Sequence, residues 1–168
     1  VALSSAEVPH APGFWTGPVN SPVPATLSGG KVIHAAELAK LIEEQRPLII
    51  DVSNVPKRPE GMAADAPWLP LPHDAIPGAV WIPNVGDGAI SENMDEFFRA
   101  QLLEATDEDF DRLVVIYCHE LCWLSWNAAK RAIGYGYRNV HWFPEGIEGW
   151  RAAGYETEVL RPRLPPEN

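Results

Sequence analysis

Basic side chains are scarce in this chain of 168 residues: 13 Lys and Arg stand against 23 Asp and Glu, a net charge of -10. Such an excess repels phosphate backbones and anionic headgroups, so nucleic acid and anionic membrane surfaces are disfavoured as partners. The acids are dispersed along the chain, as on a solvated face, and not gathered into a tail. No apolar run approaches the roughly 20 residues that cross a bilayer, so no membrane span is expected. No internal repeat is visible. The chain begins at Val1 with no initiator Met, which leads to the expectation of an exported protein whose signal peptide has been removed, although a trimmed chain would look the same. Cysteine is nearly absent, with Cys118 and Cys122 the only two. Their order, Cys-His-x-x-Cys, is not the C-x-x-C-H haem signature, so covalent haem is not expected, and no cofactor is called for.

A hydrophobic content of 46% supports one globular domain with a real core. Seven Trp and 17 Pro imply aromatic packing and stiff connections. Residues 1–30 carry Pro9, Pro12, Pro18, Pro22 and Pro24, which resist helix and central strand, and read as an arm. Phe14 and Trp15 are hard to leave in water and are expected to pin that arm onto the domain. The domain follows over residues 31–160, with a tail at 161–168.

Ala35, Leu38, Leu41 and Ile42 keep helical spacing, and Leu48–Val52 reads as a buried strand. Ser53–Asp74 has no sustained period and is expected to be a long loop, the kind that forms a functional surface or lid. A turn at Ile76–Gly78 leads into a strand over Ala79–Ile82. Ser91 is expected to cap a helix with Met94, Phe97, Phe98 and Leu102 on one face. Thr106–Asp109 fits a capping box before the next strand. Strands alternating with helices predict an α/β fold, a parallel sheet covered on both faces, whose site lies in loops at the carboxyl ends of the strands.

The segment Leu113–Trp150 organises this pattern. An apolar strand, Leu113–Tyr117, delivers Cys118 into a loop of His119, Glu120, Leu121, Cys122, Trp123 and Leu124, and helix-forming residues run from Ser125 to Ile133. A thiol at the carboxyl end of a strand, facing a helix start, meets free backbone N–H groups and the positive end of the dipole, which favour the thiolate of Cys118. The alternative is an inert buried cysteine. Cys122 is placed to resolve a persulfide or sulfenic acid on Cys118 into a disulfide, or to form a permanent bridge with it. His119 reads as an exposed loop histidine in preference to a soft-metal ligand, so no metal site is assigned. Trp126 lies on the helix stripe with Ala129 and Ile133 and reads as core, whereas Trp123 reads equally as core or as the wall of a substrate pocket. Asp51 and His73 fall on the same rim, where turn stabilisation is the safer expectation. Lys130 and Arg131 are expected to face solvent.

The order of landmarks resembles a rhodanese-like domain over roughly residues 31–156. The landmarks are Leu48–Val52 (LIIDV), His73–Ala79 (HDAIPGA), Val114–Cys118 (VVIYC), Gly136–Val140 (GYRNV) and Glu145–Trp150 (EGIEGW). More narrowly, Ile76–Gly86 (IPGAVWIPNVG) and Cys122–Arg131 (CWLSWNAAKR) resemble the PQQ-dependent catabolism-associated CXXCW motif family, although three residues separate the cysteines here. The resemblance implies a three-layer fold and a persulfide on Cys118, cradled by the amides of the loop that runs to Ser125. It also implies a periplasmic protein accessory to pyrroloquinoline quinone (PQQ)-dependent alcohol oxidation. The implied partners are a small sulfur compound or a protein thiol, with a PQQ-dependent dehydrogenase or a c-type cytochrome alongside. The loop lacks the basic residue that attracts anionic donors in that family and carries Glu120 instead, so thiosulfate meets an unfavourable field. A different class of function, a non-catalytic module that docks a dehydrogenase or cytochrome through the long loop and the tryptophans, remains open.

Overall fold

The computed structural model describes residues 8–69 and 72–166. The parts of the arm, the long loop and the tail that fall at 1–7, 70–71 and 167–168 lie outside the described residues. In chain order the elements are β1 (Lys31–Val32), α1 (Ala35–Gln45), β2 (Leu48–Asp51), β3 (His73–Ala75), β4 (Val80–Trp81), α2 (Glu92–Thr106), β5 (Val114–Tyr117), α3 (Trp123–Gly134), β6 (Val140–Phe143), α4 (Gly146–Ala152) and β7 (Glu158–Leu160).

Five strands form one parallel sheet in the order β1-β6-β5-β2-β4. The central strand β5 is buried along its whole length, which is why its residues read as a continuous apolar run. Successive side chains on β5 point to opposite faces. Val114 and Ile116 pack on the side of α2 and α3 with Phe98, Leu102 and Ala128. Val115 and Tyr117 pack on the other side with Leu38 of α1 and with Ile147 and Trp150 of α4. Each such Val or Ile taken fully out of water contributes about 1.5–3 kcal/mol. The alternation continues one step past the strand, so Cys118 shares the face of Val114 and Ile116 and sits beneath α3.

The Ser91 cap forms, its Oγ accepting from the Met94 N–H at 3.1 Å. Phe98 and Leu102 are fully buried, and Met94 and Phe97 partly so. The expected capping box at Thr106–Asp109 does not form. Thr106 is the last residue of α2 and donates its hydroxyl back to the Leu102 carbonyl at 2.7 Å. Asp107 (φ 54) and Glu108 (φ 60) then turn left-handed and close the helix end. Residues that ordinarily favour a helix start here close one, because the Thr106 hydroxyl is taken by the turn before it and the chain reverses at the next two residues.

The described part of the arm, residues 8–30, holds no helix or strand beyond an isolated antiparallel bridge between Asn20 and Cys122. Residues 52–69 are likewise without helix or strand. His73 and Asp74, expected at the end of that loop, belong instead to β3, which pairs antiparallel with β7. The start of the tail is tied to the sheet, with the Arg163 N–H donating to the Trp81 carbonyl at 2.8 Å.

Candidate active site

Helix α3 begins at Trp123, two residues earlier than its composition predicts, with Cys122 as N-cap. Cys118 ends β5 and Cys122 opens α3, so the loop between them is the tight connection His119–Leu121. Leu121 is held in the left-handed region (φ 48) with its side chain half exposed. The Cys118 carbonyl accepts from the Ile147 N–H at 3.0 Å, which ties the loop to the first turn of α4. That contact requires glycine at 146: a Cβ there would lie 2.5 Å from the Cys118 oxygen, and its φ is +62.

Both thiols are buried, Cys118 completely and Cys122 to 2% exposure, and no disulfide joins them. The two side chains are neighbours in the same buried cluster beneath the start of α3. The Cys118 sulfur also approaches the carbonyls of Cys122 and His119, at 3.7 and 3.8 Å. Burial pushes the Cys118 thiol well up, and the hydrogen bond to Cys122 adds to this; the Ser125 hydroxyl and N–H oppose it. Cys122 is lowered to about 7, first by the hydrogen bond from Cys118 and then, against its own burial, by the backbone N–H groups of His119 and Leu124. Of the pair, Cys122 is the one lowered. The helix-start field expected at Cys118 acts instead at Cys122, four residues along and the N-cap of α3, because Cys118 lies under the helix and not at its mouth.

The arm closes over this pair. Trp123 N–H donates to the Val19 carbonyl at 2.9 Å, and Ser21 N–H donates to the Leu121 carbonyl at 3.0 Å. The Trp15 ring stacks on Trp123 with centroids 4.3 Å apart and planes 10° from parallel. Asn127, fully buried in α3, holds the arm backbone: its Oδ1 accepts from Trp15 N–H at 2.8 Å and its Nδ2 donates to the Trp15 carbonyl at 3.0 Å and to the Gly86 carbonyl at 2.9 Å. Helix α3 is consequently buried on its outer face as well as on the sheet.

Several expectations change as a result. Trp123 is helical and fully buried between Trp15 and Trp126, not on a loop lining a pocket. Trp126 is core, as its stripe predicts. Arg131 does not face solvent: it is buried, donates to the Val85 carbonyl at 3.0 Å and to the Gly88 carbonyl at 3.2 Å, and lies 4.1 Å from the Phe14 ring centroid. Lys130 is half-buried, donates to the Gly13 carbonyl and lies over Trp126. The arm supplies Trp15, Phe14 and Gly13 among these partners, and no local pattern reveals a cover about 100 residues away in sequence.

His119 and Glu120 are exposed, and His119 Nδ1 pairs with Glu148 at 2.7 Å. Leu124 is buried, and Ser125, buried too, bridges Trp142 Nε1 (2.9 Å) and the Cys122 carbonyl (3.4 Å). Asp51 and His73 pair with each other at 2.7 Å. Asp51 Oδ1 accepts from Ser53 N–H at 2.9 Å, and His73 stacks on Trp81 at 3.9 Å. They brace the chain after β2, and among the described residues no hydrogen bond links either to the thiol loop. Sequence reasoning missed Asn127 and Gly146; a lone Asn inside an apolar helix was the available signal for the first.

The α/β architecture recurs among solved structures. The thiosulfate sulfurtransferase from Pseudomonas aeruginosa aligns over 81% of this chain and 21% of its own, with 18% identity and a TM-score of 0.55. SseA from Escherichia coli, described as a 3-mercaptopyruvate sulfotransferase, aligns over 81% of this chain and 54% of its own, with 20% identity and a TM-score of 0.54. This chain thus spans well under two thirds of either, and at such identities the likeness is one of fold. No curated protein matches. The sequence profile of the rhodanese-like domain matches residues 34–153, running from the N-cap of α1 through the thiol loop to the end of α4, and on that match the chain belongs to the rhodanese-like domain family.

Proposed function

We propose that this protein performs cysteine-based sulfur transfer, with Cys122 as the attacking sulfur and Cys118 as its partner. The observation that carries the reading is the pair of free, buried thiols at the β5–α3 corner, the Cys118 sulfur 3.7 Å from the Cys122 carbonyl, with Cys122 lowered to about 7. A thiolate there attacks the outer sulfur of a small persulfide R–S–SH; the Cys122 S–S bond forms and R–S⁻ departs. Two exits follow. The outer sulfur passes to an acceptor thiol and the Cys122 thiolate returns, or the Cys118 thiol attacks Cys122 Sγ, forming the Cys118–Cys122 disulfide and releasing hydrogen sulfide. The second exit leaves the protein oxidised by two electrons, and a partner thiol must reduce it. Both the donor compound and the partner thiol are accepted at the loop of His119, Glu120 and Leu121. The place of this chemistry, a periplasm equipped for PQQ-dependent alcohol oxidation, rests on the motif resemblance.

Intact mass after exposure to glutathione persulfide tests the reading. Wild type gains one sulfur or loses two hydrogens, Cys118→Ala retains the added sulfur, and Cys122→Ser gains none. A wild-type mass unchanged at pH 8 refutes the proposal. The closure of both thiols by the arm favours a second reading, a non-catalytic module that docks a dehydrogenase or cytochrome. Trp123, which that reading placed on its rim, is already occupied by Trp15, and a Cys122→Ser protein with full cellular function would be its signature.

A further inference from the structure

A cavity of about 490 Å³ opens beside the thiol loop, between the arm, the end of β1 and the turn after β6. Its walls are apolar, formed by Val23, Val32, Leu121 and Pro144, and its polar groups are His34, Glu120 and Glu145, with no Lys or Arg among the lining residues. Glu120 is exposed and has no ion-pair partner among the described residues. Glu145 gives one oxygen to His34 Nδ1, while its Oε2 has no hydrogen-bond partner. Leu121 stands half exposed on a left-handed backbone, a conformation costly for a leucine and held here by the Ser21 N–H on its carbonyl.

We infer that this groove docks a partner polypeptide through a Lys or Arg side chain flanked by apolar residues. The inference deepens the thiol reading by naming the partner presented to it. The carboxylate of Glu120, without an ion pair among the described residues, and the unpartnered Oε2 of Glu145 attract a cation to this apolar trough, and the net charge of -10 steers basic partners toward the surface from a distance. A small turn of the Glu145 carboxylate offers its free Oε2 to an incoming N–H donor. The exposed Leu121 and the length of the trough, which runs from the arm to Pro144, take the apolar neighbours of the basic residue. A small anion such as thiosulfate has no counter-charge here.

The test uses sulfur-free probes, so its outcome is independent of whether the thiols transfer sulfur. The full chain is titrated with acetyl-Leu-Lys-Leu-amide and with acetyl-Leu-Glu-Leu-amide while the Leu121 methyl and His34 ring resonances are followed by NMR. The lysine peptide shifts both resonances. Its affinity falls about tenfold or more in Glu120→Gln/Glu145→Gln protein and also falls as salt shortens the screening length. The inference is overturned if the glutamate peptide binds as well, if the lysine peptide shifts resonances elsewhere, or if the double variant binds it unchanged. A free lysine amide matching the peptide would likewise overturn a polypeptide partner in favour of a small cation. Failure of the sulfur-mass experiment with success here would leave a docking module, and the reverse would leave a thiol enzyme with a different entrance.

Discussion

Replacing Asn127 with Ala should unfasten the arm while leaving the sheet intact. The Asn127 amide makes three hydrogen bonds, two to Trp15 and one to Gly86, at 2.8–3.0 Å. At about 1 kcal/mol net for each bond, the two that tie Trp15 are worth about 2 kcal/mol to the closed arm, while the third, to Gly86, lies outside the arm. Trp15 can recover its two partners only by lifting into water, so their loss is expressed as arm opening and not as global unfolding. A shift of about 2 kcal/mol raises the open population about thirtyfold. Two independent readouts should report that factor. The amide proton of Trp123, held by the Val19 carbonyl, should exchange about thirtyfold faster, and iodoacetamide should label Cys122 faster by the same ratio. Asn127→Asp should open the arm further, because its carboxylate faces the carbonyls of Trp15 and Gly86 where Nδ2 had donated. A change below about threefold in both rates, with circular dichroism unaltered, would refute the view that Asn127 is what holds the arm down.

The labelling rate of Cys122 should rise with pH about a midpoint near 7, and Cys118→Ala should move that midpoint upward, because the Cys118 hydrogen bond is the largest cause of the lowering. Since the folded value lies below the ordinary thiol value, Cys122 adds stability as pH climbs from about 7 toward 9.0 and loses that contribution as pH falls through about 7; denaturant melts of wild type and Cys122→Ser across this window should converge at acid pH. Gly146→Ala should destabilise the fold by more than the about 1–2 kcal/mol of a left-handed alanine, because its Cβ also meets Cys118 O at 2.5 Å, and urea titration measures the loss. Arg131→Leu should cost about 2 kcal/mol by the same titration, since it strands the carbonyls of Val85 and Gly88 under the arm.

The main elements were legible in sequence where the cause was local. Leu48–Val52, Leu113–Tyr117 and Val140–Phe143 declare themselves as buried strands because both of their faces are covered, and Ser91 announces α2 because its hydroxyl caps the adjacent turn. Strands β1, β3 and β7 were not legible. They are two or three residues long and exist only through their pairing with distant chain. The thiol corner was found from Cys118 and Cys122 alone, but the full burial of Cys118 was not. It depends on which face of β5 continues into the loop, and that strand parity, once applied, buries Cys118. The misplaced start of α3 has a similar origin: the N–H of Trp123 is satisfied by Val19, from about 100 residues upstream, and not by a neighbouring side chain.

The bridge between Asn20 and Cys122 also has a bearing on how the protein is made. The segment around Trp15 leaves the ribosome early, yet the surface that receives it is not complete until α3 and β6 have emerged. Joining points about 100 residues apart carries a closure entropy of roughly 4 kcal/mol, so the seat must be built before the segment can occupy it. Until that happens the sulfur pair is uncovered, and the nascent chain passes through a stage in which its cysteines are open to any oxidant or thiol nearby.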